Sequence, residues 1–337
     1  MTTIPSERYQ FNELLSAIQN AGSILLFPHV SPDGDTIGST LALKMLLVRL
    51  KKQVTVVLDG VPPRNLSFLP DIYCVRSYDE AVAVLHPGAG SLAISVDAGD
   101  EERLGRAAEM FRQASVTAQI DHHPTNPGFA QLNVIDPLAS ATAVLVHRLF
   151  EAFGLPLQRE EAVCLYTGLS TDTGNFVYKN VTAEAFQMMA RLLEAGLPIA
   201  NYARLLFRCK EKAHIALLGK ALPTMRYLCG GEIAGMHLSI EAFREAGATG
   251  EHADGVVDYA IDAEGVKIAY FARETEEGTI KCSLRALTPY RVDGVAERLG
   301  GGGHQLAAGC TVPGPMDKAL LAIETALQEA YVGGGQA

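Results

Sequence analysis

Along the first half of the chain, short apolar runs alternate with longer stretches of helical period. Residues 8–21 read as a helix, SILLFP at 23–28 as a strand, and TIGSTLALKMLLVRLK at 36–51 as a helix begun near Thr36. QVTVVL (53–58), SLAISV (91–96) and VTAQI (116–120) are short, β-branched and closed by turn or polar residues, as strands are. Such strands separated by helices predict a parallel sheet covered on both faces. Helical period returns at 139–153, 158–170 and 182–195, the last with Thr182 placed to cap its start and Gly196 just past its end. From residue 216 the character changes. EIAGMHLSI, GVKIAYFARE and GTIKCSLRAL read as strands, and 317–331 as a closing helix. The predicted class is α/β: a parallel-sheet domain over 1–185, a helical connector over 186–215 and a smaller α+β domain over 216–332. The tail GGGQA, 333–337, is expected to be disordered.

Composition narrows the picture. Of 337 residues, 48% are hydrophobic and 20% charged, so packed cores are expected and wholesale disorder is not. The formal net charge of -10 shows no basic excess for gripping long nucleic acid, while short polyanions stay open as partners. No two of the six cysteines have CxxC spacing and their neighbours are apolar, which predicts buried free thiols in a reducing compartment. The N-terminus has no basic region leading into an apolar run, and no apolar stretch approaches the ~20 residues of a membrane helix. A cytoplasmic protein with no membrane segment is the expectation.

Chemistry enters with residues 27–39, FPHVSPDGDTIGS. Pro32 and Gly34 would serve a surface turn, but a turn needs neither His29 nor the closely spaced Asp33 and Asp35. Three further clusters resemble it: Asp97 in ISVDAGD, Asp121-His122-His123 closing AQIDHH, and Asp172 in GLSTDTGNF. Singly, each aspartate has an ordinary role in a turn or a cap. Together they are harder to place. If the strands ending in the first three clusters lie adjacent and parallel, at least four carboxylates meet at the sheet edge where open α/β folds bind ligands. That charge is unfavourable unless cations neutralise it. Carboxylate with imidazole and no thiolate suits Mn²⁺ or a similar divalent ion better than structural zinc. One carboxylate can bridge two ions about 3.5–4 Å apart, the arrangement that activates water against a phosphate.

These motifs resemble, in order, the four motifs of the DHH phosphoesterases. GGGGHQLAAG, 300–309, resembles the glycine-rich motif of the DHH-associated domain that follows in many of them. The two-domain layout is most similar to the bacterial nanoRNases of the NrnA type, which are also pAp phosphatases. The resemblance implies two divalent ions, Mn²⁺ first. His29, Asp33 and Asp97 would hold one ion, and Asp35, Asp97, His122 and Asp172 the other, with Asp97 bridging. A hydroxide shared by the ions would be the nucleophile. His123 would contact the scissile phosphate or help the leaving group, and Asp121 would orient a ligating imidazole by a hydrogen bond. In the second domain, Gly301, Gly302, Gly303 and His304 would approach substrate phosphate through backbone N–H groups and the imidazole, and Arg285 of CSLRAL would clamp it. Arg208, Arg273 and Arg291 could join, unranked. His86, His147, His214, His237 and His252 read as structural or surface residues.

The expected activity is Mn²⁺-dependent hydrolysis of very short RNA such as pApA to mononucleotides, with dephosphorylation of 3′-phosphoadenosine 5′-phosphate. Partners are then short oligoribonucleotides and nucleotide bisphosphates, with no long duplex and no membrane; a homodimer stays open. A cyclic dinucleotide (c-di-AMP) phosphodiesterase shares the chemistry. A non-catalytic nucleotide sensor is the alternative of a different class. Pyrophosphatase relatives have a more basic C-terminal domain, and processive single-strand exonucleases carry added modules, so both fit less well.

Overall fold

The computed structural model describes residues 9–85 and 87–332; His86 and the tail at 333–337 lie outside the described residues. The chain divides between Cys209 and Lys210 into two compact units.

The first unit holds α1 (Phe11–Asn20), β1 (Ser23–Pro28), α2 (Gly34–Arg49), β2 (Gln53–Leu58), β3 (Val75–Ser77), α3 (Tyr78–Val82) and β4 (Ser91–Val96). It continues with α4 (Ala107–Arg112), β5 (Val116–Asp121), β6 (Leu132–Ile135), α5 (Thr142–Ala152), α6 (Arg159–Asp172), α7 (Ala183–Glu194) and α8 (Ile199–Ala203). Six strands form one sheet in the order β3-β2-β1-β4-β5-β6, every pair parallel. Burial on both faces explains why the strands read as unbroken apolar runs. Along β1, Ile24 and Leu26 enter the core beneath α2, α5 and α6, while Leu25 and Phe27 enter the core beneath α4. The chain lays β1 to β3 outward on one side, then returns to lay β4 to β6 on the other. The order therefore reverses between β1 and β4, a switch point where the flanking loops diverge and open a crevice.

Two helix starts differ from the pattern. α2 begins at Gly34, two residues before Thr36, because Asp33 caps it and its Oδ1 accepts from the backbone N–H of Asp35 and of Thr36 at 3.0 Å each. α5 begins at Thr142, not at 139, and its first N–H groups turn to a side chain in α2. The short edge strands β3 and β6 leave too few residues for a period to register. Thr182 caps α7 as expected, accepting from Ala185 N at 3.3 Å.

The second unit contains α9 (Lys212–Ala221), β7 (Arg226–Leu228), β8 (Ile233–Leu238), α10 (Ile240–Ala246), α11 (Asp258–Ile261), β9 (Ile268–Glu274) and β10 (Thr279–Ala286). α12 (Asp293–Arg298), β11 (Gly302–His304), β12 (Ala307–Pro313) and α13 (Met316–Val332) complete it. Its sheet, β11-β12-β10-β9-β8-β7, is antiparallel except for the β8–β9 pair. α12 and α13 share a core with one face; α9, α10 and α11 share a core with part of the other. The glycine run is not a free loop. Gly302–His304 pairs with Ala307–Gly309 as an edge hairpin. A Cβ on Gly301 would lie 2.5 Å from Cys310 Cα, and one on Gly303 2.5 Å from Ala308 Cα, whereas Gly302 faces open space. Two glycines of the run are thus used for packing against β12.

The thiol expectation needs correction. Cys164, Cys282 and Cys310 are buried, but Cys74 and Cys229 are half-buried and Cys209 is exposed, because they fall at element ends where an apolar neighbour does not guarantee a covering layer. All six are free.

Candidate metal centre

The polar clusters lie at the carboxyl edge of the first sheet. His29 follows β1, Asp97 follows β4, and Asp121 ends β5 with His122 and His123 next in line. Asp33 and Asp35 occupy the start of α2, and Asp172 ends α6. What brings Asp172 to the strands is close helix packing. A Cβ on Gly38 would overlap the carbonyl oxygen of Cys164 in α6, and one on Gly168 would lie 2.5 Å from Asp35 Oδ1. Glycine at both positions lets α2 and α6 approach until the two aspartates share one site.

Three trios of donors result, each with its ligand atoms within 4.8 Å of one another: His29, Asp33 and Asp97; Asp35, His122 and Asp172; Asp97, His122 and His123. Asp97 stands between them. Its Oδ2 lies 3.8 Å from His29 Nε2 and its Oδ1 3.8 Å from His122 Nε2, so the two oxygens face different trios. The hydroxyl of Thr36 donates to Oδ2 at 2.7 Å and that of Thr142 to Oδ1 at 2.8 Å, which holds the carboxylate in this attitude. The Asp97 backbone has φ of +63°, a left-handed conformation rare outside glycine, held by its N–H donating to Ile120 O at 2.9 Å. Asp35 is fixed as firmly. It accepts from Thr142 N at 2.6 Å, Ala143 N at 3.0 Å and Ser39 Oγ at 2.8 Å, so the amino end of α5 is aimed at its carboxylate.

The electrostatics are those of a site built for cations. Burial, then the charge of Asp172, pushes the Asp35 carboxyl up to about 7. Asp97 is pushed well above the usual carboxylate range by burial and then by Asp35 and Asp33. Burial alone would depress His122, but its 2.9 Å contact with Asp172 and the charges of Asp35 and Asp97 raise it to about 10. His29 is held below its ordinary value, first by burial and also by Arg103, against the opposing hydrogen bond to Val30 O at 2.7 Å. Because a carbonyl only accepts, that bond puts the proton on Nδ1 and leaves Nε2 as the lone pair, the form a metal ligand takes, so Arg103 acts on the ring as a neighbouring charge and not as a hydrogen-bond donor to Nδ1. The donors fit divalent ions: carboxylates and imidazoles with no thiol, and buried carboxyls driven toward protonation for lack of a countercharge.

Asp121, expected to orient a ligating imidazole, accepts from His123 Nδ1 at 2.7 Å, while His122 Nδ1 lies 3.4 Å from Ala139 O. The strand places the His123 ring beside its own terminal carboxylate, and that bond raises the His123 pKa. Asn126 in turn donates to Asp121 Oδ2 at 2.6 Å. Thr36, Ser39, Thr142, Asn126 and Arg103, whose Nη2 is 2.9 Å from His29 Nδ1, were not picked out from sequence. Thr36 lies inside the quoted stretch and Thr142 at a predicted helix start, so both had a signal; Arg103 had none.

The other expected contacts belong to the second unit. Arg285, Ala307 and His304 form one row across β10, β12 and β11, which puts Arg285 and His304 on the same face. Arg285 Nε donates to Asp258 Oδ1 at 3.1 Å, Arg291 is paired with Asp293, and His304 is exposed. Of the remaining histidines, His147 and His214 are buried, the latter 2.9 Å from His252 O through Nδ1.

Comparison with known proteins gives matches to the DHH family, N-terminal domain, over residues 23–169 and to the DHHA1 domain over 234–330. The chain is 37% identical to the bifunctional oligoribonuclease and PAP phosphatase NrnA of Thermus thermophilus, covering 94% of this chain and 92% of that one. It is 26% identical to the Bacillus subtilis protein of the same name, covering 94% and 98%. The crystal structure of an exopolyphosphatase-related protein from Bacteroides fragilis superposes with a TM-score of 0.85 at 27% identity, over 95% of both chains.

Proposed function

The chain belongs to the DHH family, and from that membership we propose that it is a Mn²⁺-dependent phosphoesterase that releases mononucleotides from oligoribonucleotides as short as pApA and dephosphorylates 3′-phosphoadenosine 5′-phosphate. The observation that carries the reading is Asp97, with one oxygen toward His29 and the other toward His122. The names of the Thermus and Bacillus relatives support the pairing of activities.

His29, Asp33 and Asp97 would hold one ion, and Asp35, Asp97, His122 and Asp172 the second. Bound there, the pair supplies Lewis acidity toward phosphate and acidifies water. The chain's own residues set the geometry. Thr36 and Thr142 keep both Asp97 oxygens turned outward to the two trios, and the α5 N–H groups keep Asp35 from swinging away. His123 donates Nδ1–H to Asp121, a bond that raises its pKa, and offers Nε2 to a phosphate oxygen or the departing oxygen. Arg285, Gly302 and His304 receive substrate phosphate, while Gly301 and Gly303 set the hairpin's shape. Six free cysteines suit a reducing cytoplasm, and no helix among the described residues is long and apolar enough to cross a membrane.

The test is a product analysis. Mn²⁺-loaded parent and Asp97→Ala are given pApA, pAp, cyclic di-AMP, pyrophosphate and a long single strand in parallel. AMP released from pApA and pAp by the parent alone is the expected result. Faster opening of cyclic di-AMP, or turnover of pyrophosphate alone, would overturn it.

A further inference from the structure

Within the second unit lies a concave site of about 340 Å³, a size at the lower end of ligand pockets. Arg273, Lys281, Ser283, Thr311, Asp254 and the backbone of Gly300–Gly301 line it. Lys281 pairs with Arg273 on β9 and with Thr311 on β12, so the three form one row. Lys281, Ser283 and Arg285 alternate along β10 and therefore share a face with His304. The row of Lys281 lies four residues from that of Arg285, about 13 Å at about 3.3 Å per residue.

Charge distinguishes this place from the rest of the unit. Of its six arginines, Arg226, Arg244, Arg285, Arg291 and Arg298 each have a carboxylate partner. Arg273 has no ion pair among the described residues, nor has Lys281. Arg273 also borders a second concavity lined by Glu274, Glu276 and Glu277, where a Cβ on Gly250 would stand 2.9 Å from its Nη1. Two cations outside any ion pair, the hydroxyls of Ser283 and Thr311 and glycine backbone in the first concavity make an anion receptor, with Glu277 the carboxylate on which the Lys281 charge acts. Asp254, which also lines it, gives it a second character. A carboxylate beside the cations disfavours a dense anion such as pyrophosphate and accepts from a hydroxyl or amino group, as a ribose or base presents.

We propose that this concavity is a second nucleotide subsite, in which Arg273 and Lys281 hold a phosphodiester of an oligoribonucleotide two residues or more beyond the phosphate met by the Arg285–His304 row. The inference rests on the reading of the chain as a phosphoesterase of short RNA and deepens it. A bisphosphate of one nucleoside is too short to span both rows, so the subsite serves the oligonucleotide activity and not the pAp activity.

The experiment compares the full-length parent with Arg273→Gln, Lys281→Gln and the double variant. Binding of 5′-phosphorylated oligoadenylates two to five residues long is measured by fluorescence anisotropy in chelator over a range of salt. Cleavage of the same oligomers and of pAp is measured with Mn²⁺. The double variant is expected to lose about tenfold or more in affinity and kcat/KM for trimers to pentamers, with pAp turnover unchanged. The slope of log affinity against log salt should fall by about 0.7 for each cation removed. Equal losses for pAp and pentamer, or an unchanged salt slope, would overturn the subsite. If the parent cleaves nothing but the variants still lose pentamer binding, the subsite stands and the hydrolytic reading falls.

Discussion

At the scale of single residues, His122 shows how strongly the surroundings decide protonation. As a free histidine it would be largely neutral at pH 7; beside Asp172, Asp35 and Asp97 it holds its proton up to about 10, and Asp35 titrates at about 7. An ion entering this site must displace protons, so Mn²⁺ affinity is expected to rise between pH 6 and 8 with measurable proton release. Titration calorimetry in two buffers of different ionisation enthalpy reads this directly, and an affinity indifferent to pH would contradict it. The metal-free protein should show the opposite trend. Both groups have raised folded-state values, so their contribution is full below the unfolded values, 3.8 for Asp35 and 6.5 for His122, and is lost as pH rises through about 7 and about 10. His29, lowered on folding, contributes above 6.5 and loses that contribution only on acidification. From pH 6.5 upward the trends of Asp35 and His122 are therefore unopposed by His29. The melting temperature in chelator should fall toward pH 9, while the Mn²⁺-loaded protein resists that fall.

At the scale of elements, the site depends on how closely α2 and α6 approach. Gly168→Ala would drive a methyl into Asp35 Oδ1 at 2.5 Å and to 2.9 Å from the methyl of Ala143. A loss of about 1–3 kcal/mol is expected from overpacking, together with weaker Mn²⁺ binding as Asp35 is displaced. Gly219→Ala is the control, since that helical glycine of α9 has nothing within 4 Å of an added Cβ and should be neutral or slightly stabilised. Chemical denaturation of the two variants separates the effects. Gly168→Ala as benign as Gly219→Ala would mean that the helix contact does not position the aspartate.

For the whole molecule, the decisive fact is that each unit has cores of its own. The first unit's apolar clusters contain no residue of the second, and the reverse holds too. All expected metal ligands fall in the first. Because a ligand stabilises only what it binds, chelation is expected to lower one calorimetric transition and leave another unmoved. A single transition that shifts as a whole would show the units to be one cooperative body.

Periodicity and the polar residues closing each apolar run were enough to read four strands of the parallel sheet, its longer helices and the polar clusters at the ends of β1, β4 and β5, because burial on both faces writes continuous apolar runs and a strand's end is marked by its first polar residue; the resemblance to the DHH phosphoesterases was what selected His29, Asp33, Asp35, Asp97, His122 and Asp172 as one ligand set. The run of four glycines was legible as special, but not its division of labour, since which glycine meets a neighbouring strand depends on a pairing partner distant along the chain. The same holds for Thr142 at Asp97, for Asp121 choosing His123 over His122, and for Arg103 at His29. Each of these contacts joins segments that no local pattern relates. Local sequence determined which elements form and which side chains stand at their ends; only the tertiary packing of α2, α5 and α6 against the switch point decided which of those ends meet, because distance between side chains is set by how closely backbones approach.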